Sequence, residues 1–424
     1  MKKLTILFIL GVILMGVYFY TKKNSTEKPG FVSKIKITEQ QEEVDANVVV
    51  EYFVQGMSVN DFENALKSQS VLLFKPDENY SYIYYNFEKN LKYSEIEEMI
   101  KQLNHSKAVR VETIGESADK RNLYSLEIGF GKKVIMFEAG IHAAEVANTM
   151  FIMKYIKDLV NDYEKYDETV VKLLNEIKIV VFPAVNPDGY EACLFGFGNI
   201  YNKNSHLIKN NQSINFNTYK ANINGIDLNR SMPSQHAGLY YQDKTLANSV
   251  AFKPSLGNRD YYAGAVLGSE PETKSLINWQ YKYLSDAYAY VALHSAGRVI
   301  YAGKPNLSDK YNENSLKLAS IVSEHSGYQT LDMAYEDVGL GDDGTATDFA
   351  SEIIMGFNFN AKTGRLSTNH YAQPKLEDKQ ATGVITIETM TQYTYDISSI
   401  KNEYYERKLS QVFDELLRSH KEMN

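Results

Sequence analysis

A single cysteine, Cys193, is all that the 424 residues provide, so no internal disulfide framework can form. Stability must come from packing and from any metal the chain binds, and Cys193 itself reads as a small buried hydrophobe. Few cysteines do not place the chain in the cytosol, because many exported chains carry no disulfide. A basic face is missing too: 53 acidic against 45 basic side chains leave a net charge of −8, which gives no reason to expect a nucleic-acid partner. Internal repeats and low-complexity tracts are absent. What remains, with 44% hydrophobic residues, is ample for the core of one large domain, alone or with a small accessory region.

The start of the chain suggests a location. Met1-Lys2-Lys3 precedes an apolar run of 17 residues from Leu4 to Tyr20, about the lower limit for a helix that spans a bilayer, and Lys22 and Lys23 close it. Neither a small-residue cleavage site nor a lipid-bearing cysteine follows, so residues 1–23 read as a retained signal-anchor, with secretion as the alternative if it is cleaved. Lysines on both flanks blunt the orientation rule, but a short basic start before an apolar run is the usual export signal. The expected location is therefore a single-pass protein of the cell membrane with its body outside the cytoplasm. Residues 24–92 read as a polar stalk and a small accessory region, with strand-like stretches at Val48–Val54, Val71–Phe74 and Tyr80–Tyr85. A spacer is the preferred reading of that region over a shielding propeptide.

From Tyr93 to the end, residues 93–424, the pattern becomes that of one catalytic domain. Ser94 and Glu97 make a capping box before a helical stretch. Strand signals at Leu123–Ile128, Val134–Phe137, Ile177–Phe182, Ala287–Leu293 and Val384–Ile387 mostly alternate with helical stretches such as Val146–Tyr163 and Thr273–Asp286, and Ile400–Met423 forms a helical tail. This predicts an α/β sheet with helices on both faces and its site at the carboxyl ends of strands. His142, in the turn after the second of these strands, stands three residues before Glu145. The strand ending at Leu293 delivers His294, and the one ending at Ile387 delivers Glu388. His142, Glu145 and His294 suit a zinc ion that keeps an open position. Glu388 is then a carboxylate able to take a proton from an attacking water and pass it to a leaving amine. Arg230 offers a forked guanidinium for a substrate carboxylate, with Asn229 beside it. Asp227 either accepts the second ring hydrogen of His142 or caps a turn. The other histidines, His105, His206, His236, His325, His370 and His420, read as solvated.

Five motifs occur in order: His142-x-x-Glu145, Asn186-Pro187-Asp188-Gly189-Tyr190, Gly225-Ile226-Asp227-Leu228-Asn229-Arg230, Leu293-His294-Ser295 and Thr386-Ile387-Glu388. Together they resemble the zinc carboxypeptidase family over about three quarters of the chain. The resemblance implies a three-layer α/β/α mixed sheet, one zinc, and hydrolysis of a peptide bond beside a free carboxylate. It gives His142, Glu145 and His294 the ligand roles, Glu388 that of general base, and Asn229 with Arg230 the carboxylate grip. Tyr219 to Arg230, Asn258 to Gly264, Ser269 to Thr273 and His294 to Tyr301 narrow it further. They resemble the bacterial γ-D-glutamyl-L-diamino acid peptidases, which cut peptidoglycan stem peptides. A general metallocarboxypeptidase, or a surface binding protein on the same fold, is the alternative. Peptidoglycan-binding repeats are missing, and so is the family's carbonyl-polarising arginine between Tyr201 and Lys220, which leaves Lys220, Lys209 or Arg259 to supply that charge. Tyr335 is the nearest candidate for the family's mobile tyrosine, and Asn369-His370-Tyr371 falls in an extra loop.

Overall fold

The most continuously apolar strands lie at the centre of the sheet, where both faces are covered. In the computed structural model the described residues are 85–161, 168–210, 212, 214–234, 262–303, 309–332, 345–354, 357–360, 365–368 and 382–423. The expected membrane anchor, the stalk and the strands before residue 85 lie outside them. Among the described residues no helix is long and apolar enough to cross a membrane. Ten strands are described: β1 (Val109–Glu116), β2 (Asn122–Ile128), β3 (Lys133–Ala139), β4 (Ile177–Phe182), β5 (Ala287–Ser295), β6 (Val299–Ala302), β7 (Gln329–Asp332), β8 (Phe357–Asn360), β9 (Arg365–Thr368) and β10 (Gly383–Thr389).

Eight of these strands form one mixed sheet in the order β1-β2-β4-β3-β5-β10-β6-β7, and β8 with β9 makes a separate ribbon. The four central strands, β4, β3, β5 and β10, run parallel, while β2 and β6 flank them antiparallel. The chain steps outward from β3 to β4 and then returns past β3 to β5. The strand order therefore reverses between β3 and β5, and a crevice opens at their carboxyl ends.

Aromatic contacts show that helices cover both faces. Phe137 of β3 meets Phe413 of α9 (Leu409–Arg418), and Tyr155 of α2 (Val146–Asn161) packs on the same ring. On the opposite face Phe182 of β4 meets Trp279 of α5 (Pro271–Tyr283), whose indole N–H donates to Ser125 Oγ at 3.0 Å. The body also includes α1 (Tyr93–Leu103), α3 (Glu168–Leu173), α4 (Pro187–Phe195), α6 (Asp309–Ser326), α7 (Ala346–Ile354) and α8 (Ile397–Glu406).

The structure differs from the sequence reading in several places. Glu95, not Glu97, closes the cap of α1 by accepting the Lys92 backbone N–H at 2.9 Å. That helix begins two residues earlier than the Ser94 box requires, because Tyr93 is anchored by Glu191, which accepts its N–H. The helical tail breaks in two at Lys408, whose φ of +50° ends one helix and turns the next back onto the sheet. Packing starts no later than Tyr85, ahead of the expected boundary at Tyr93. Tyr85, Phe87 and Leu91 are buried, with Phe87 edge-on to Phe151 and tilted against Tyr404. His420 is buried rather than solvated, its Nε2 3.0 Å from Glu176 Oε2.

Candidate metal centre

Three strand ends and two loops converge at the crevice. β3 ends at Ala139, and Gly140, at φ +64°, turns the chain where a Cβ would stand 2.5 Å from Thr149 Oγ1. The next loop carries His142 and runs into α2. Asn186 staples it. The Asn186 side chain donates to the carbonyls of Ile141 (3.4 Å) and Ala221 (3.2 Å) and accepts the Gly189 N–H that caps α4. Behind it Asp188 is buried and bound by Ser117, by the Asp119 N–H and by Arg121. These contacts account for the Asn-Pro-Asp-Gly motif as scaffold. The segment at Lys220 is drawn in by backbone pairing, since Ala143 and Ala144 donate to the carbonyls of Lys220 and Tyr219.

His142, Glu145 and His294 come together as the sequence suggested, all three buried, with one ligand atom of each within 4.8 Å of the others. Glu145 sits between the imidazoles, Oε1 lying 2.7 Å from His142 Nδ1 and Oε2 3.1 Å from His294 Nδ1. Burial alone would push the Glu145 carboxyl up, yet the two imidazoles outweigh it and hold it well below the usual range. Burial likewise pulls His142 down, but Glu145 and Asp227 prevail and push it up to about 9. Both Nδ1 atoms thus face the one carboxylate, and two imidazoles with one carboxylate are the donor set zinc takes. Asp227 caps the turn and also stands beside the His142 ring. Its Oδ1 accepts the Asn229 N–H at 3.0 Å and lies 3.3 Å from His142 Nε2, on the side of the ring away from Glu145.

Glu388 stands beside His294 in the parallel register of β10 with β5. Its Oε2 is buried and has no hydrogen-bond partner among the described residues. Burial first, and then the Glu145 carboxylate, push the Glu388 carboxyl up to about 7. That is the range of a base that works near neutral pH.

The zinc carboxypeptidase profile matches residues 96–408, a span that contains every residue of this centre. The chain belongs to the zinc carboxypeptidase family. It is 31% identical over 284 residues to a γ-D-glutamyl-L-diamino acid endopeptidase 1 of Lysinibacillus sphaericus, covering 64% of this chain and 68% of that protein. With human carboxypeptidase A6 it shares 26% identity over 221 residues, 51% of this chain but only 45% of the relative. The fold is also that of carboxypeptidase A from Helicoverpa armigera, with a TM-score of 0.53 at 18% identity over 88% of this chain and 87% of the other. As a family member, this chain is a hydrolase of zinc metallocarboxypeptidase type.

Asn229 and Arg230 of this zinc carboxypeptidase lie at the same end of the sheet, both largely buried. Asn229 Oδ1 accepts the Ala346 N–H that opens α7, and Arg230 donates from Nη1 to the Asn229 carbonyl. Of the three cations considered for carbonyl polarisation, Lys209 is exposed and Arg259 lies outside the described residues, as do Tyr335 and Asn369 to Tyr371. Lys220 is half-buried at the centre. Burial would lower it, yet Glu145, Tyr393 and Asp227 more than compensate and hold the ammonium charged. Its Nζ lies 5.8 Å from the centre of the Tyr393 ring. Tyr393 escaped the sequence reading, although its place five residues after Glu388 was a usable signal. Glu138 escaped as well: fully buried on β3, with its carboxyl pushed up to about 7 by burial.

Proposed function

We propose that this chain is a zinc-dependent peptidase of the outer membrane face that cuts peptidoglycan stem peptides at a bond beside a free carboxylate. The observation that carries the reading is Glu388, an ionisable carboxylate whose buried Oε2 has no hydrogen-bond partner among the described residues, beside a His-Glu-His cluster at the sheet's switch point. A bound zinc supplies Lewis acidity toward a carbonyl oxygen and toward water. His142, Glu145 and His294 would hold it. Glu388 takes the proton of the attacking water and delivers it to the nitrogen of the leaving amine. The Lys220 ammonium opposes the negative charge that grows on the carbonyl oxygen. Arg230 and Asn229 grip the substrate carboxylate and so align the scissile bond. The substrate class is supported by the 31% identical endopeptidase, whose name specifies a γ-D-glutamyl-L-diamino acid bond. Residues 1–23 as an anchor, with the body outside, would put the site where peptidoglycan lies.

Full-length protein in detergent with zinc, given a muropeptide mixture and blocked dipeptides, is expected to free a diamino-acid-containing product from the muropeptides by mass spectrometry. Release from dipeptides alone would move the substrate to ordinary peptides. No cleavage of either by a protein with one zinc bound would defeat the peptidase reading and leave a binding role. Lys220→Met, which keeps length and drops charge, should reduce kcat by about 10²- to 10³-fold with little change in KM. Lys220→Arg should retain most of the rate, and an unimpaired Lys220→Met would assign carbonyl polarisation to another group.

A further inference from the structure

Behind the ligand cluster, three polar side chains from three elements close a ring. Asn148 of α2 donates from Nδ2 to Ser295 Oγ at 3.1 Å. Ser295 Oγ lies 3.0 Å from Thr389 Oγ1, which in turn donates to Asn148 Oδ1 at 2.8 Å. The Glu145 carbonyl oxygen, 3.5 Å from Asn148 Nδ2, fixes which way the amide lies, because the amide oxygen in that place would face another oxygen. An amide N–H only donates and an amide oxygen only accepts, so the hydrogens run one way round: Asn148 to Ser295, Ser295 to Thr389, Thr389 to Asn148. Each hydroxyl both donates and accepts. All three residues are buried, at 0%, 3% and 1% exposure, and a closed buried network of this kind holds its members in one arrangement.

The ring touches every part of the centre at one remove. Ser295 follows His294, and Thr389 follows Glu388 while its Oγ1 lies 3.1 Å from the His294 carbonyl oxygen. Asn148 is three residues beyond Glu145 at the start of α2, and the Ser295 N–H donates to Glu145 Oε2 at 3.0 Å. Backbone pairing already aligns β10 with β5 as far as Thr389 opposite Ser295. No such ladder can tie a helix to strand ends, so the first turn of α2 needs side chains to set its depth and rotation against them. We infer that Asn148, Ser295 and Thr389 are positioning residues. Their ring registers the start of α2 against the ends of β5 and β10, and so places Glu145 relative to His294 and Glu388. The inference rests on reading the cluster as the zinc site, and none of the three touches the reacting atoms.

The test uses the full-length chain in detergent and two readouts that need no substrate: the zinc dissociation constant by chelator competition, and the visible spectrum of the cobalt-substituted protein. Thr389→Val keeps the shape and removes the hydroxyl. It is expected to weaken zinc about 10- to 100-fold and to alter the cobalt spectrum, while Thr389→Ser stays within about threefold of wild type and restores the spectrum. Ser295→Ala, a smaller change, should move both readouts in the same direction and serves if Thr389→Val does not fold. Wild-type zinc affinity and spectrum in the valine or alanine variant, whatever its melting temperature, would reduce the ring to ordinary core structure. Thr389→Ser as impaired as Thr389→Val would transfer the effect to the methyl group and overturn the inference. A wild-type chain that binds no zinc would instead overturn the reading of the site.

Discussion

Glu388→Gln is expected to lower kcat/KM by about 10³-fold or more, at the upper end of what one general base contributes, while making the metal-free protein more stable at pH 8. The two effects share one cause. The Glu388 carboxyl is held up to about 7 by burial and by the Glu145 carboxylate, so its charged form is disfavoured in the folded state. A group whose folded pKa exceeds its unfolded value binds its proton more tightly when folded, so stability falls as pH rises between the two values. The cost is absent below about pH 4.5 and fully present above about 7. Glutamine removes it. The melting temperature of the variant in chelator should exceed that of wild type by a few degrees at pH 8 and match it near pH 4.5. Wild-type kcat/KM should fall on the acid side at or below about pH 7, since a bound dication further favours the ionised carboxylate. A variant that loses stability at pH 8 would make Glu388 a structural residue.

Glu145→Gln is expected to weaken zinc by more than about a hundredfold, beyond what loss of a residue that merely orients a ligand does. Zinc at about a hundred times its dissociation constant should stabilise the wild-type chain by about 2.7 kcal/mol, and the variant should show little of that shift at the same concentration. The affinity should also depend on pH. His142 is pushed up to about 9 in the metal-free chain, so below that value a proton must leave before the metal binds. Wild-type affinity is therefore expected to rise by about tenfold per pH unit from 7 toward 9, with close to one proton released per zinc. Calorimetry in buffers of different ionisation enthalpy measures that proton. Unchanged zinc affinity in Glu145→Gln would place the metal elsewhere.

Much of the centre was legible before the fold was known because its chemistry is tied to strand ends. A strand that stops at a turn leaves its last side chains at one edge of the sheet, and His142, His294 and Glu388 each follow an apolar run that reads as a strand. Parallel neighbours share that edge, so the residues meet. Legibility stopped where a choice depended on pairing between distant segments. Three cations were eligible to polarise the carbonyl, and backbone bonds from Ala143 and Ala144 to the carbonyls of Lys220 and Tyr219 bring Lys220 to the centre. Glu138 carries no spacing that distinguishes it from the other glutamates, whereas Tyr393 is marked only by its place five residues after Glu388. The cap of α1 was misplaced by local reasoning alone, because a contact from Glu191, 98 residues away, settles where that helix begins.

The sequence by itself determined the ligand types, their order, and which end of the sheet bears them, since residue chemistry and a strand's period of two are local properties. Tertiary structure alone brought Lys220 beside them and closed the ring behind them. The ring of Asn148, Ser295 and Thr389 spans separations of 147, 94 and 241 residues, and no one-dimensional pattern records it. A hydrogen bond needs its partners within about 3 Å and well aligned, and only the packing of α2 against the ends of β5 and β10 brings these three that close.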